Sequence, residues 1–259
     1  MKNQNKQAVQ QQFSQNATDY RESSLFAEGE DLRKMVYSVS LVGHERVLDI
    51  GTGAGHTALA FSNYVSECVG MDLTDAMVEV ATRLAYARGI SNVKFQVGDA
   101  ENILFPSESF DVITCRFASH HFGDIKKATQ EISRVLKPGG TLIVVDHYSP
   151  ENDELDSFVN HLDRLRDPSH VQEYRLSEYE SLFEDCGLAY RKLDTWDLTL
   201  DYQDWVERAR TSESKRNELA AHFQEASELC KGVFQIQLNE MEVPISFCLK
   251  CALIHGIKQ

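Results

Sequence analysis

Between Arg46 and Asp146 the chain repeats one unit: a short apolar run, a turn, then a stretch with helical spacing. Such βαβα alternation is accommodated by a parallel sheet with helices on both faces. The strand candidates are 46–50, 68–72, 93–97, 110–115 and 141–146. The first, fourth and fifth lack alternating polarity and are expected to be central, buried strands. Thr74 is placed to cap a helix bearing Met77, Val80, Ala81 and Leu84 and ending at Gly89. Asp124 is placed to cap another, whose apolar stripe from Ile125 to Leu136 stops at Lys137-Pro138-Gly139-Gly140. Beyond Asp146 the spacing predicts helices over 151–166 and 177–186, a strand over 188–196, one or two charged surface helices within 201–231, and closing strands near 233–238 and 246–255.

The sharpest local pattern is Val47-Leu48-Asp49-Ile50-Gly51-Thr52-Gly53-Ala54-Gly55, a strand running into a glycine-rich turn and a helix. Glycines let the backbone turn sharply and let a ligand approach the main chain, and the helix start offers free N–H groups to an anionic group. Asp72 ends the next strand, where a carboxylate can accept two ribose hydroxyls; it can equally cap the helix near Thr74. The dinucleotide fingerprint GxGxxG requires a third glycine where this chain has His56, which disfavours NAD. The observed GxGxG suits an adenosyl ligand ending in an amino acid.

In order, VLDIGTGAG, VGMDLT, GDAENILF, FDVITCRFASHHF and ISRVLKPGGTLIVVD resemble the successive motifs of class I S-adenosylmethionine-dependent methyltransferases. The resemblance covers Phe13 to Asp146 and extends more loosely to the end. Within that superfamily the chain is similar to the ubiquinone/menaquinone C-methyltransferase group and to bacterial YcgJ-type proteins. The resemblance implies a Rossmann-like, doubly wound, mostly parallel seven-stranded sheet with an antiparallel last strand and helical insertions forming a lid. It implies S-adenosylmethionine as cofactor. It places Asp49, Gly51, Gly53 and Gly55 around the methionine part, Asp72 on the ribose, Leu73 on the adenine face, and Asp99 with Ala100 on the adenine edge. It also places the Cys115 carbonyl near the cofactor's amino group and Tyr20, in FSQNATDYRES, over the cofactor.

Methyl transfer from a sulfonium is a direct displacement, so the protein's part is to align acceptor, methyl carbon and sulfur and to exclude water. A base is required only where the acceptor must lose a proton. His120 and His121 after the fourth strand and His147 after the fifth stand at carboxyl strand ends, where open α/β sheets bind ligands. They are the candidate bases, alongside a purely structural reading of each. Arg116 is a candidate anchor for an anionic acceptor, or the partner of a surface acid. His120, His121, Asp124 and Asp146 lack a metal-ligand spacing, and no metal is expected.

Acidic residues number 40 and basic ones 26, a net charge of −14 that repels phosphate backbones and argues against nucleic-acid partners. The acceptor is therefore expected to be a small molecule, methylated at oxygen or carbon. Residues 1–12, with five glutamines and no apolar run, read as a flexible arm rather than a signal peptide. No stretch approaches a membrane span, and the six unevenly spaced cysteines suit a reduced, cytoplasmic setting. Cys248 and Cys251 lie three apart in a predicted strand, hence on opposite faces, and read as small core residues. The rest, 13–259, reads as a single domain with substrate-side insertions about 151–175 and 201–240. A non-catalytic adenosyl-ligand-binding protein and an NAD-linked oxidoreductase are the competing readings.

Overall fold

The computed structural model describes residues 2–22 and 27–259, without the side chains of 2, 3, 17–20 and 22. Five strands run parallel: β1 (Arg46–Ile50), β2 (Glu67–Asp72), β3 (Val93–Val97), β4 (Phe110–Arg116) and β5 (Leu136–His147). Two long strands, β6 (Leu188–Asp201) and β8 (Pro244–Lys258), complete the sheet in the order β3-β2-β1-β4-β5-β8-β6, and the two-residue β7 (Gln237–Leu238) pairs with β8. Strand β8 is antiparallel to both β5 and β6. The expected mostly parallel α/β sheet is thus realised. The order reverses between β1 and β4, and the carboxyl ends of these two strands open the crevice in which doubly wound sheets take ligands.

Strands β1, β4 and β5 are buried on both faces because each alternates apolar side chains between two cores. Leu48, Ile50, Ile113, Leu142 and Val144 face one cluster, and Val47, Val112, Ile143 and Val145 the other. Helix α5 (Ile125–Val135) covers the first with Ala128, Ile132 and Val135; its start is capped by the Asp124 carboxylate, which accepts the Lys127 N–H at 3.0 Å. Helices α2 (Glu30–Tyr37) and α3 (His56–Ser62) cover the second with Met35, Val36, Ala58 and Phe61. The predicted 141–146 strand starts earlier, at Leu136, across an irregularity in its pairing with β4 between Phe110 and Val112.

A third apolar cluster lies beyond the carboxyl end of β5. There β8 runs on past β5, pairing with β6 from Lys250 back to Ser246 and with β7 at Ser246 and Pro244. Helices α6 (Asp153–Arg166), α8 (Tyr202–Arg208), α9 (Glu213–Gln224) and α10 (Glu228–Val233) pack on this extension through Phe158, Leu162, Trp205, Val206, Leu219 and Phe223. The charged 201–231 stretch therefore folds as three helices sharing one interior, because its scattered apolar positions find partners on α6 and β8 rather than on each other in sequence. Helices α4 (Asp75–Ala87) and α7 (Leu176–Asp185) fall close to expectation. Cys248 and Cys251 are buried in β8, and all six cysteines are free thiols.

The amino-terminal reading requires correction. Residues 2–12 are not a flexible arm but the first half of helix α1 (Lys2–Glu22). Gln and Lys are good helix formers, and the segment is held by tertiary bonds that composition does not reveal. Lys6 pairs with Asp99 at 2.7 Å and Glu101 at 2.8 Å, Asn5 donates to the Ser169 carbonyl at 3.2 Å, and Gln12 to that of Ala209 at 2.9 Å. Phe13 packs against the cluster of Ala54, Met77 and Val80. Among the described residues no helix is long and apolar enough to cross a membrane.

Candidate active site

The loop after β1 is built on left-handed backbone: Gly51 has φ +64°, Gly53 +52° and Gly55 +87°. A Cβ on Gly51 would stand 2.5 Å from that of Ala118, so the β1 and β4 loops touch through this glycine. A Cβ on Gly53 would meet nothing within 4 Å; that backbone faces open space where a ligand can lie against it. Gly55 differs: its missing Cβ makes room for Phe95 and Ala81, and it does not line the cleft.

Asp49 sits beneath this loop, fully buried, accepting hydroxyl bonds from Thr52 at 2.6 Å and Thr114 at 2.7 Å. Burial raises its carboxyl to about 6 against the opposing pull of these bonds. It shapes the loop from behind and does not line the cleft, so the expected direct cofactor contact is replaced by support of the loop. Asp72 does line it. One carboxylate oxygen accepts the Gly53 N–H and the other the Thr74 N–H, both at 2.9 Å. The capping reading is not realised, since the Thr74 N–H precedes the first turn of α4; the side chain instead braces the turn before that helix, ties the glycine loop to β2, and keeps acceptor capacity on the cleft side.

The cleft encloses roughly 1030 Å³ including its mouth. It brings together Gly51, Gly53, Asp72, Leu73, Asp99, Ala100, Arg116 and His121 of the predicted residues. It leaves out Cys115, whose thiol burial pushes far above the ordinary range. The side chain of Tyr20 is outside the described residues. Arg116 reaches the cleft wall, but its guanidinium is engaged by the buried carboxylate of Asp31 on α2, with Nη2 to Oδ1 at 3.1 Å and a second bond from Nε. The pairing alternative, with a buried rather than a surface acid, takes the place of an acceptor anchor.

The three histidines separate. His121 alone lines the cleft; its ring meets Phe13 edge-on at 5.1 Å, and its Nδ1 lies 3.1 Å from the Ser169 carbonyl. Burial, then His120, lowers its pKa to about 4, so the ring is neutral at physiological pH. His120 stands behind it, Nδ1 bonded to Asp146 at 2.7 Å. Burial opposes its protonation, but Asp146 outweighs burial and raises its pKa. His147, lowered to about 4 by burial and His120, lies off the cleft against Phe117 and His120.

Sequence reading missed the roof of the site. Asn5, Lys6, Val9 and Phe13 of α1 line the cleft, as does buried Glu101, which accepts the Asp124 N–H at 3.0 Å. An isolated Phe13 in a polar helix was the one available signal. Phe117, at φ +50°, is a left-handed non-glycine residue at the end of β4, where strain marks a position over-determined by its surroundings.

The fold and the glycine-loop cleft at the strand-order reversal define the class: the chain belongs to the class I S-adenosylmethionine-dependent methyltransferases, and the family model described as a methyltransferase domain matches residues 48–144. Among particular relatives, it is 51% identical over 247 residues to the uncharacterised methyltransferase YcgJ of Bacillus subtilis, covering 95% of this chain and 98% of that one. The crystal structure of YcgJ superposes with a TM-score of 0.87, at 50% identity, covering 88% of this chain and 97% of that chain. The demethylmenaquinone methyltransferase of Thermus thermophilus is 38% identical over 131 residues, 49% of this chain and 59% of that one.

Proposed function

We propose that the cleft binds S-adenosylmethionine and that the chain methylates an oxygen or carbon of a small-molecule acceptor by in-line displacement. The observation that carries this reading is one concave surface holding an open Gly53 backbone, the Asp72 carboxylate, Leu73, and Asp99 with Ala100, the groups an amino acid, a ribose and an adenine would need. The residues fit the cofactor: Gly53 leaves room where a side chain would intrude, and Asp72 offers acceptors to two hydroxyls. When bound, the cofactor supplies an activated methyl group on a positively charged sulfur.

The protein's part is alignment and exclusion of water. Asp72 holds the ribose, Leu73 covers the adenine, and Asp99 with the Ala100 N–H reads its edge, with Lys6 pairing Asp99 from above. Gly51 and Gly53 present backbone to the amino-acid end. Helix α1 roofs the cleft through Val9 and Phe13. His121, neutral and lining the acceptor side, is the base where the acceptor carries a proton; His120 and Asp146 position its ring from behind. The insertions expected to form a lid back the cleft instead, through the Ser169 carbonyl beside His121 and the Ala209 carbonyl that holds α1, and none of their described residues lines it. An acidic molecule of this kind suits an acceptor without a phosphate backbone.

Isothermal titration with S-adenosylmethionine, S-adenosylhomocysteine and NAD in parallel tests the reading. Micromolar binding of both adenosyl ligands and none of NAD is expected; NAD binding alone would overturn it.

A further inference from the structure

Behind the His120–His121 wall, two buried carboxylates have opposite fates. Asp146 is saturated: one oxygen accepts from His120 Nδ1 at 2.7 Å and the His147 N–H at 2.9 Å, the other from the Ser119 N–H at 3.0 Å and the Ser119 hydroxyl. Glu173 is wholly inaccessible, and neither of its carboxylate oxygens has a hydrogen-bond donor among the described residues. It faces the carboxyl group of Asp163 on α6, also buried, and lies 3.6 Å from His147 Nδ1 through Oε1. Its backbone cannot swing away, because the Asn160 side chain accepts the Glu173 N–H at 2.8 Å and donates to its carbonyl at 3.2 Å. Arg166, the nearby cation on α6, directs its Nε to the Trp205 carbonyl at 3.0 Å and stacks on that ring.

Two facing acids that share one proton still carry a negative charge in the interior, which His170, His147 and Arg166 attract from a distance, and a cation seated between the carboxyl groups would offset it directly. One donor atom from each of His147, Asp163 and Glu173 lies within 4.8 Å of the other two. Donors bound to one ion at about 2.0–2.2 Å stand about 3–3.5 Å apart, so a contraction of about an ångström would close the set. An imidazole with two carboxylates suits a first-row transition ion, while Mg²⁺ prefers oxygen and water alone.

We propose that His147, Asp163 and Glu173 bind one first-row divalent transition-metal ion, at a site behind the methyl-transfer cleft and independent of how that cleft is assigned. Sequence spacing hides it, since 147, 163 and 173 are brought together only where α6 and the segment after it fold back on the end of β5. The set weighed from sequence is not gathered: Asp124 caps α5 and His121 turns to Ser169. The ion would tie α6 to the sheet.

The test is titration of chelator-dialysed full-length protein with Zn²⁺, Mn²⁺ and Mg²⁺ separately, read by calorimetry and by bound metal per chain. One Zn²⁺ or Mn²⁺ per chain is expected, with Mg²⁺ weaker by about tenfold or more. Glu173→Gln and Asp163→Asn should each weaken binding by about tenfold or more. No binding of Zn²⁺ or Mn²⁺ at millimolar concentration overturns the proposal and leaves the acids sharing a proton, as does affinity unchanged in both variants. Wild-type crystals soaked in Zn²⁺ provide a readout that no variant's folding can obscure. An anomalous peak between the three side chains is expected, and a peak only elsewhere refutes the site.

Discussion

Asp72→Ala is the perturbation with the most to say about the cleft. The carboxylate makes two bonds within the protein, to the Gly53 and Thr74 N–H groups at 2.9 Å, and has acceptor positions left for a ribose. Two ribose bonds to a charged acceptor, at about 1.5–3 kcal/mol each less compensation by water, total about 2–4 kcal/mol. That is a loss of about 30- to 900-fold in affinity for S-adenosylhomocysteine. Alanine also strands two backbone donors, so stability should fall by about 1–3 kcal/mol, and circular dichroism must first show a folded variant. Asp72→Asn separates the two effects. Its amide oxygen can still accept the Thr74 N–H, but its NH₂ faces the Gly53 N–H, and one ribose bond survives, so binding should fall by about tenfold. Calorimetry decides: a folded Asp72→Ala variant with unaltered affinity would refute the ribose assignment.

The glycine loop predicts a contrast. Gly51→Ala meets Ala118 at 2.5 Å and should lower the unfolding free energy by several kcal/mol, whereas Gly53→Ala has free space, should cost about 1–2 kcal/mol in urea melts, and should lose cofactor binding. With an acceptor in hand, His121→Ala should lower kcat by about 10²–10⁴-fold where a proton is removed, with cofactor affinity unchanged; equal turnover would remove His121 as base. Stability should depend on pH through the histidines. His121 and His147 are held at about 4, below their unfolded value near 6.5, so the unfolded chain takes up protons first. Stability is therefore full above about pH 6.5, falls as pH drops towards 4, and levels off below. Each histidine contributes up to about 3 kcal/mol, partly offset by the raised His120. Urea midpoints that stay constant from pH 7 to 4.5 would contradict this burial.

Local pattern carries far in this chain because its strands are buried on both faces and its turns need glycine. An unbroken apolar run such as Val47-Leu48 or Ile113 with its neighbours has no solvated alternative, and a left-handed turn after β1 admits few residues besides glycine. The sheet, the cap at Asp124 and the cleft at the end of β1 were therefore legible from one dimension, whereas Thr74 stands at the start of α4 without a cap bond from its side chain. Asp99 and Ala100 were legible through motif order alone.

Other features depend on partners far apart in sequence. Residues 2–12 carry no apolar stripe, and bonds to Asp99, Glu101 and the carbonyls of Leu73, Ser169 and Ala209 hold them as a helix across the cleft. Whether a histidine at a strand end meets ligand or core is decided by what packs behind it. His121 faces the cleft because His120 takes Asp146, and His147 turns inward to Glu173. Asp49 and Arg116 left the expected contact list because Thr52, Thr114 and Asp31 claim them first. The chain alone determined the α/β alternation and the glycine-rich turn, since these follow from steric and solvation preferences of neighbouring residues. Only the tertiary structure decided which charged groups face the cleft and which are buried with partners, since that depends on long-range geometry that burial makes energetically decisive.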